Sequence, residues 1–117
     1  MTSERLETLL ARINALRIAV LGDFAVDFYF EVETKTEEFS VETGKEVHLA
    51  AKPRAYLGGA GNVAKNLAIL GVQVSAFGVR GNDLFGREMA HQMSLLGIDA
   101  RNIMESEIDT TTYSKPM

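Results

Sequence analysis

Apolar residues recur along this chain with two periods that take turns. Leu6, Leu9, Leu10, Ile13 and Leu16 come at three- and four-residue spacing and predict a helix over 3–15, with Ser3 as N-cap and Glu4 in its first turn. Residues 17–22, RIAVLG, form a short apolar run closed by glycine, as in a strand buried on both faces of a parallel sheet. From Phe28 to Val32, aromatic and β-branched residues alternate with acids and predict a half-exposed strand. A polar loop over 33–46 follows, and then a mixed strand from Val47 to Leu57. Pro53 interrupts that strand, which fits an edge position. Together the two segments predict a small antiparallel flap.

Beyond the flap the helical period returns over 61–70, with Val63, Leu67 and Leu70 on one face and Gly71 as the stop. Residues 72–79, VQVSAFGV, predict a strand. Phe85, Met89, Met93 and Leu96 then form a stripe on a helix over 84–96, which Gly97 ends; the two methionines read as core filler. The tail, with Ile103 and the run TTTYSK, predicts one or two more strands. This order belongs to an α/β fold with a mostly parallel sheet flanked by helices. Because the strand pattern is still running at Lys115-Pro116-Met117, the 117 residues read as the N-terminal part of a larger domain, with an edge left to cover.

Candidate chemistry concentrates where the flap meets the helix. Residues 58–71, GGAGNVAKNLAILG, place Gly58, Gly59 and Gly61 ahead of a helix. Such a turn lets a ligand approach bare backbone, and the helix N-terminus offers N–H groups to an anion or a hydroxyl-rich ligand. Asn62 adds a polar side chain. Upstream, GDFAVD at 22–27 brings Asp23 and Asp27 to a strand end, and downstream GNDLFG at 81–86 supplies a second glycine-aspartate turn. Each signal also has a structural reading: a solvated turn for the two acids, a tight connection for the glycines, and a helix cap for Asn82 and Asp83. Lys45, Lys52 and Arg54 fit a solvated edge strand or a contact with a phosphorylated sugar. The acids at 31, 33, 37, 38 and 42 read as hydrated surface. His48 and His91 have no partners at metal-ligand spacing.

Composition narrows the classes. With 46% hydrophobic and 24% charged residues the chain is ordinary globular material, enough for one core. The absence of cysteine removes disulfides and thiolate metal sites and fits a reducing cytoplasm. A net charge of -4 gives no basis for a nucleic-acid partner. No apolar run approaches the roughly 18 residues of a membrane span, and the acidic N-terminus is unlike a secretory signal.

Four pieces in order, AVLGDFAVD at 19–27, LGGAGNVAKNLAILG at 57–71, GVRGNDLFG at 78–86 and LLGID at 95–99, resemble the first third or so of a ribokinase-like carbohydrate kinase of the pfkB family. SVETG at 40–44 and TTTYSKPM at 110–117 resemble more narrowly the branch that phosphorylates heptose 7-phosphate. The resemblance implies that Asp27, at the end of the first strand, accepts hydrogen bonds from sugar hydroxyls, with Gly58, Gly59 and Asn62 as further sugar contacts and Asp23 and Gly61 as secondary candidates. It implies a division into helix and first strand (1–27), a flap (28–57) that closes over the sugar and pairs with a second subunit, and sugar-side α/β units (58–117). It also implies ATP and Mg2+ for the whole enzyme, with neither held tightly by this chain. The family's catalytic base lies in a later glycine-rich segment, so no catalytic residue is expected here and the 117 residues alone are expected to be inactive.

Two alternatives use the same residues. Gly59-Ala60-Gly61-Asn62-Val63-Ala64 satisfies the dinucleotide fingerprint G-x-G-x-x-A, with Asp83 about twenty residues on. The strands at 28–32 and 47–57 also suit a non-catalytic dimerising module that pairs edge to edge.

Overall fold

The computed structural model describes residues 1–33, 44 and 49–117. Most of the expected polar loop, with Lys45, His48 and the acids at 37, 38 and 42, lies outside the described residues. Helix α1 (Ser3–Asn14) is capped one residue earlier than expected. Thr2, not Ser3, is the N-cap, and its hydroxyl accepts from the Arg5 N–H. None of the helix is buried. Strand β1 (Arg17–Leu21) corrects a second expectation: only Val20 is buried and Leu21 is 83% exposed, and β1 is an edge strand in the sheet order β1-β4-β5.

Gly22 and Asp23 break the chain after β1, so Asp27 stands inside a separate strand, β2 (Phe24–Glu33), and not at the end of the first. β2 pairs antiparallel with β3 (Leu49–Gly59), which gives the expected flap hairpin, with β2 longer than the alternating pattern indicated and β3 running on through Gly58 and Gly59. Tyr29 opposes Arg54 and Glu31 opposes Ala51, so Lys52 and Pro53 share the place opposite Phe30 as a β-bulge, with Lys52 at φ +52°. Glycine-led α2 (Ala60–Ile69) follows, then β4 (Gln73–Gly81), α3 (Leu84–Leu95), β5 (Asp99–Ser106) and β6 (Thr112–Pro116). The tail thus forms two strands.

These strands make two three-stranded sheets. β1, β4 and β5 are all parallel, while β2 lies between antiparallel β3 and parallel β6. Pro53 and Pro116 both sit on the outer strands of the second sheet, where a missing N–H interrupts no ladder. Helices α2 and α3 pack on both sheets, around a core that includes Phe24, Val26, Leu57, Val74, Met89 and Met93. The methionines are fully buried, as the stripe on α3 required. Gly71 and Gly97 end their helices at φ +95° and +71°.

On α2 the buried face differs in part from the expected one: Leu67 packs against the core as expected, but its two partners do not. Val63 and Leu70 are 52% and 53% exposed, whereas Gly61 and Ala64 are buried. Small residues win this face because they let the helix lie close to the sheet; a Cβ on Gly61 would come within 3.2 Å of the Leu57 Cβ. Among the described residues no helix is long and apolar enough to cross a membrane.

Candidate sugar-binding cleft

Strand alternation sorts β2 into two chemistries. Phe24 and Val26 point into the core and Phe28 packs edge-on against Phe85 of α3, with ring centroids 5.5 Å apart. Asp27 and Tyr29 therefore face the other way, into a cleft of about 440 Å³. Asp27, Gly58, Gly59 and Asn62, four residues singled out by sequence, all line this cleft. The half-buried Asp27 carboxylate rests directly on Gly58, where a Cβ would stand 2.9 Å from its Oδ2. Glycine at 58 is what lets the carboxylate lie along the strand beside it.

At Gly59 the chain turns from β3 into α2 with φ +56° and ψ −131°, a conformation open to glycine. The turn is held by the Asp23 carbonyl, which accepts from the Ala60 N–H at 2.8 Å. Asp23 thus contributes its backbone here. Its side-chain position belongs to a second cleft of about 500 Å³, shared with Gly78, Arg80, Ser106 and Asp109 at the carboxyl ends of the parallel strands. Gly61 does not line the first cleft; it packs against Leu57. The dinucleotide alternative loses its structural context as well. The glycine turn leaves a strand antiparallel to its neighbour β2, not the first parallel strand of a βαβ unit.

Of the remaining wall, sequence reasoning names Arg54 as a candidate contact for a phosphorylated sugar and passes over the rest. Tyr29, Arg54, Tyr56 and Lys65 line the cleft, and Lys115 on β6 donates to the Tyr29 hydroxyl at 3.2 Å. That hydrogen bond, reinforced by the charges of Tyr29 and Asp27, holds the Lys115 ammonium above the ordinary lysine value. Lys65 stands 5.7 Å from the Tyr56 ring centroid, and the Tyr29 and Tyr56 rings meet edge to face at 5.7 Å. Lys52, in contrast, pairs with Glu31 at 3.4 Å on the exposed edge. His91 is exposed, and among the described residues no three His, Asp or Glu side chains gather as metal ligands.

Asp83 caps α3 as its position predicted, accepting from the Gly86 N–H at 2.7 Å. It also accepts from both the N–H and the hydroxyl of Thr110 at 2.7 Å, which ties the approach to β6 onto the helix start. These bonds, led by the Thr110 N–H, hold its carboxyl below the usual carboxylate value. A lowered folded-state pKa adds stability that is complete above the unfolded-state value and fades as pH falls through the carboxylate range. Asp83→Asn is expected to flatten the acid side of a urea-denaturation profile; superimposable profiles for the two proteins would contradict this role.

Comparison with known proteins places this geometry in context. Residues 15–114 match the model of the pfkB family of carbohydrate kinases. The chain is 37% identical over 112 residues to the bifunctional protein HldE of Geobacter sulfurreducens, covering 96% of itself and 22% of that protein. It is 35% identical over 100 residues to the D-beta-D-heptose 7-phosphate kinase of Bordetella bronchiseptica, covering 86% of itself and 31% of the relative. An uncharacterized sugar kinase of Pyrococcus horikoshii in complex with ATP superposes with a TM-score of 0.58 at 26% identity, over 83% of this chain and 29% of that one. The chain therefore spans about a fifth to a third of the length of these relatives.

Proposed function

This chain belongs to the pfkB family of carbohydrate kinases, and from that membership and the cleft we propose that it supplies the acceptor-sugar site of an ATP-dependent kinase. The whole protein moves the γ-phosphoryl group of ATP to a hydroxyl of a sugar or sugar phosphate, with heptose 7-phosphate the substrate that the names of its relatives favour. The observation that carries this reading is Asp27 lying against Gly58 beside Asn62, in one cleft. A carboxylate offers two acceptor oxygens to adjacent hydroxyls, and the Asn62 amide both donates and accepts. Gly58 and Gly59 leave room for the sugar to approach the backbone. The flap hairpin of β2 and β3 shields the reacting hydroxyl from water, the competing acceptor.

ATP is supported by the nucleotide complex of the Pyrococcus horikoshii relative, and Mg2+ accompanies it in phosphoryl transfer, neutralising charge on the phosphates. The described residues of this chain gather no ligand set for the ion. Its own residues act on the acceptor side: they bind, orient and shelter the hydroxyl, whose proton passes to a base that we place outside residues 1–117. The whole protein is thus expected to release ADP when given ATP and heptose 7-phosphate, while a polypeptide of residues 1–117 releases none. Sugar-dependent ADP release by the 117-residue polypeptide would overturn the division of labour, and a whole protein that phosphorylates no sugar would overturn the kinase assignment. We also propose a homodimer joined through the outer edge of β3, giving twice the monomer mass in light scattering. A dimer without kinase activity would favour the dimerising-module alternative instead.

A further inference from the structure

Strand β6 has little in its own sequence to fix where it lies. Thr112 is half-buried and Tyr113, Ser114, Lys115 and Pro116 are exposed, so no buried face selects one pairing with β2 over a pairing shifted by one residue. No hairpin turn sets the register either, because β6 runs parallel to β2 and enters from β5, a strand of the other sheet. The register nonetheless shapes the cleft. It sets Tyr113 beside Asp27 and Lys115 beside Tyr29, and Met117 just beyond β6 lines the same wall. A slip of one residue would bring Thr112 or Ser114 beside Asp27 and turn Tyr113 and Lys115 to the opposite face.

What holds the strand sits just ahead of it. Among the described residues Thr110 is the one buried polar residue, 7% exposed. Its N–H donates to Asp83 Oδ2 and its hydroxyl to Asp83 Oδ1, both at 2.7 Å, while the hydroxyl oxygen accepts from the Gly81 N–H at 2.9 Å. Two glycines make the room: a Cβ on Gly81 would stand 2.8 Å from the Thr110 nitrogen, and one on Gly86 2.8 Å from the Thr110 hydroxyl oxygen. The turn GNDLFG, besides capping α3, is thus a socket for this threonine. One residue on, the Thr111 carbonyl accepts from the Val26 N–H at 2.9 Å and starts the ladder with β2. The best-attested use of a buried polar group is to fix register, because its hydrogen bonds are satisfied in one alignment only. We propose that Thr110, seated between Gly81 and Asp83, is the register pin of β6 and thereby a positioning residue for the acceptor cleft, of which it lines no part. Its effect on the sugar rests on the carbohydrate-kinase reading; its effect on the strand does not.

Thr110→Val in the whole protein tests the pin, since valine keeps the branched shape and removes the hydroxyl that Asp83 and Gly81 hold. The kcat/KM for heptose 7-phosphate is expected to fall about tenfold, with the KM for ATP within about threefold of the wild type. Thr110→Ser restores the hydroxyl and should return the sugar kcat/KM to within about threefold. Hydrogen exchange followed by mass spectrometry reads the strand directly: peptides covering 112–117 should exchange about tenfold faster in Thr110→Val, and those covering β4 and α3 at the wild-type rate. If Thr110→Val does not fold, Thr110→Ala, which leaves space for a water between Asp83 and Gly81, is read against the same criteria. Unchanged exchange over 112–117 overturns the pin, as does faster exchange shared with β4 and α3, which marks general destabilisation. Exchange that changes as expected beside an unchanged sugar kcat/KM, or beside equal losses for sugar and ATP, overturns the positioning role. A wild type that phosphorylates no sugar overturns the kinase reading, and the exchange comparison then still decides the pin.

Discussion

Asp27→Ala in the whole protein is expected to lower kcat/KM for the acceptor sugar by about two to four orders of magnitude. Asp27 sits on the central strand of its sheet, half-buried and seated on Gly58, so it cannot swing away to make room for water. Each hydrogen bond from a sugar hydroxyl to a carboxylate contributes about 1.5–3 kcal/mol. Two such bonds amount to roughly 3–6 kcal/mol, which sets the expected range. Alanine removes both, whereas Asp27→Asn keeps one acceptor oxygen and the shape and should recover part of the loss. Steady-state kinetics with both substrates varied gives the answer, because the KM for ATP should stay within a few-fold of the wild type. A sugar kcat/KM within tenfold of the wild type would remove Asp27 from the proposed site.

The residues that form this cleft were legible in the sequence to different degrees, for physical reasons. Gly58 and Gly59 stood out because they cluster ahead of a helix, whereas Asp27, read as standing at a strand end, and Asn62 were assigned through the resemblance to pfkB kinases. The stripe on α3 and the glycine stops were legible because helical period and positive φ are local properties. Tyr29, Tyr56 and Lys115 gave no such sign. They become neighbours of Asp27 only through strand register, and nothing local states that β6 joins β2 in parallel. The buried face of α2 was misjudged for a related reason. Hydrophobic period ranks Val63 above Gly61 and Ala64, but close approach to the sheet favours the smallest side chains. The face of β1 was misjudged because burial on both sides depends on what flanks the sheet, and among the described residues little covers Leu21, which is 83% exposed.

Gly59→Ala is expected to cost more stability than Gly97→Ala, and the comparison separates its causes. Both glycines have positive φ, +56° and +71°. Around Gly97 an added Cβ meets open space, so alanine there carries backbone strain alone, about 1–2 kcal/mol. At Gly59 the Cβ runs into the Asp23 carbonyl oxygen, a backbone atom already fixed by its hydrogen bond to the Ala60 N–H. Neither group can yield without opening the turn, and overpacking of this kind adds about 1–3 kcal/mol to the strain. The sum, about 2–5 kcal/mol, is a large share of the 5–15 kcal/mol that holds a typical domain. Urea denaturation of the whole protein should therefore show Gly59→Ala less stable than Gly97→Ala by at least about 1 kcal/mol. The same variant should bind sugar more weakly, because the turn it opens sets Asn62 beside Asp27, whereas Gly97 lines no part of that cleft. Equal stability of the two variants would mean that the Asp23 carbonyl does not fix the turn, and unchanged sugar binding by Gly59→Ala would mean that the turn does not position Asn62.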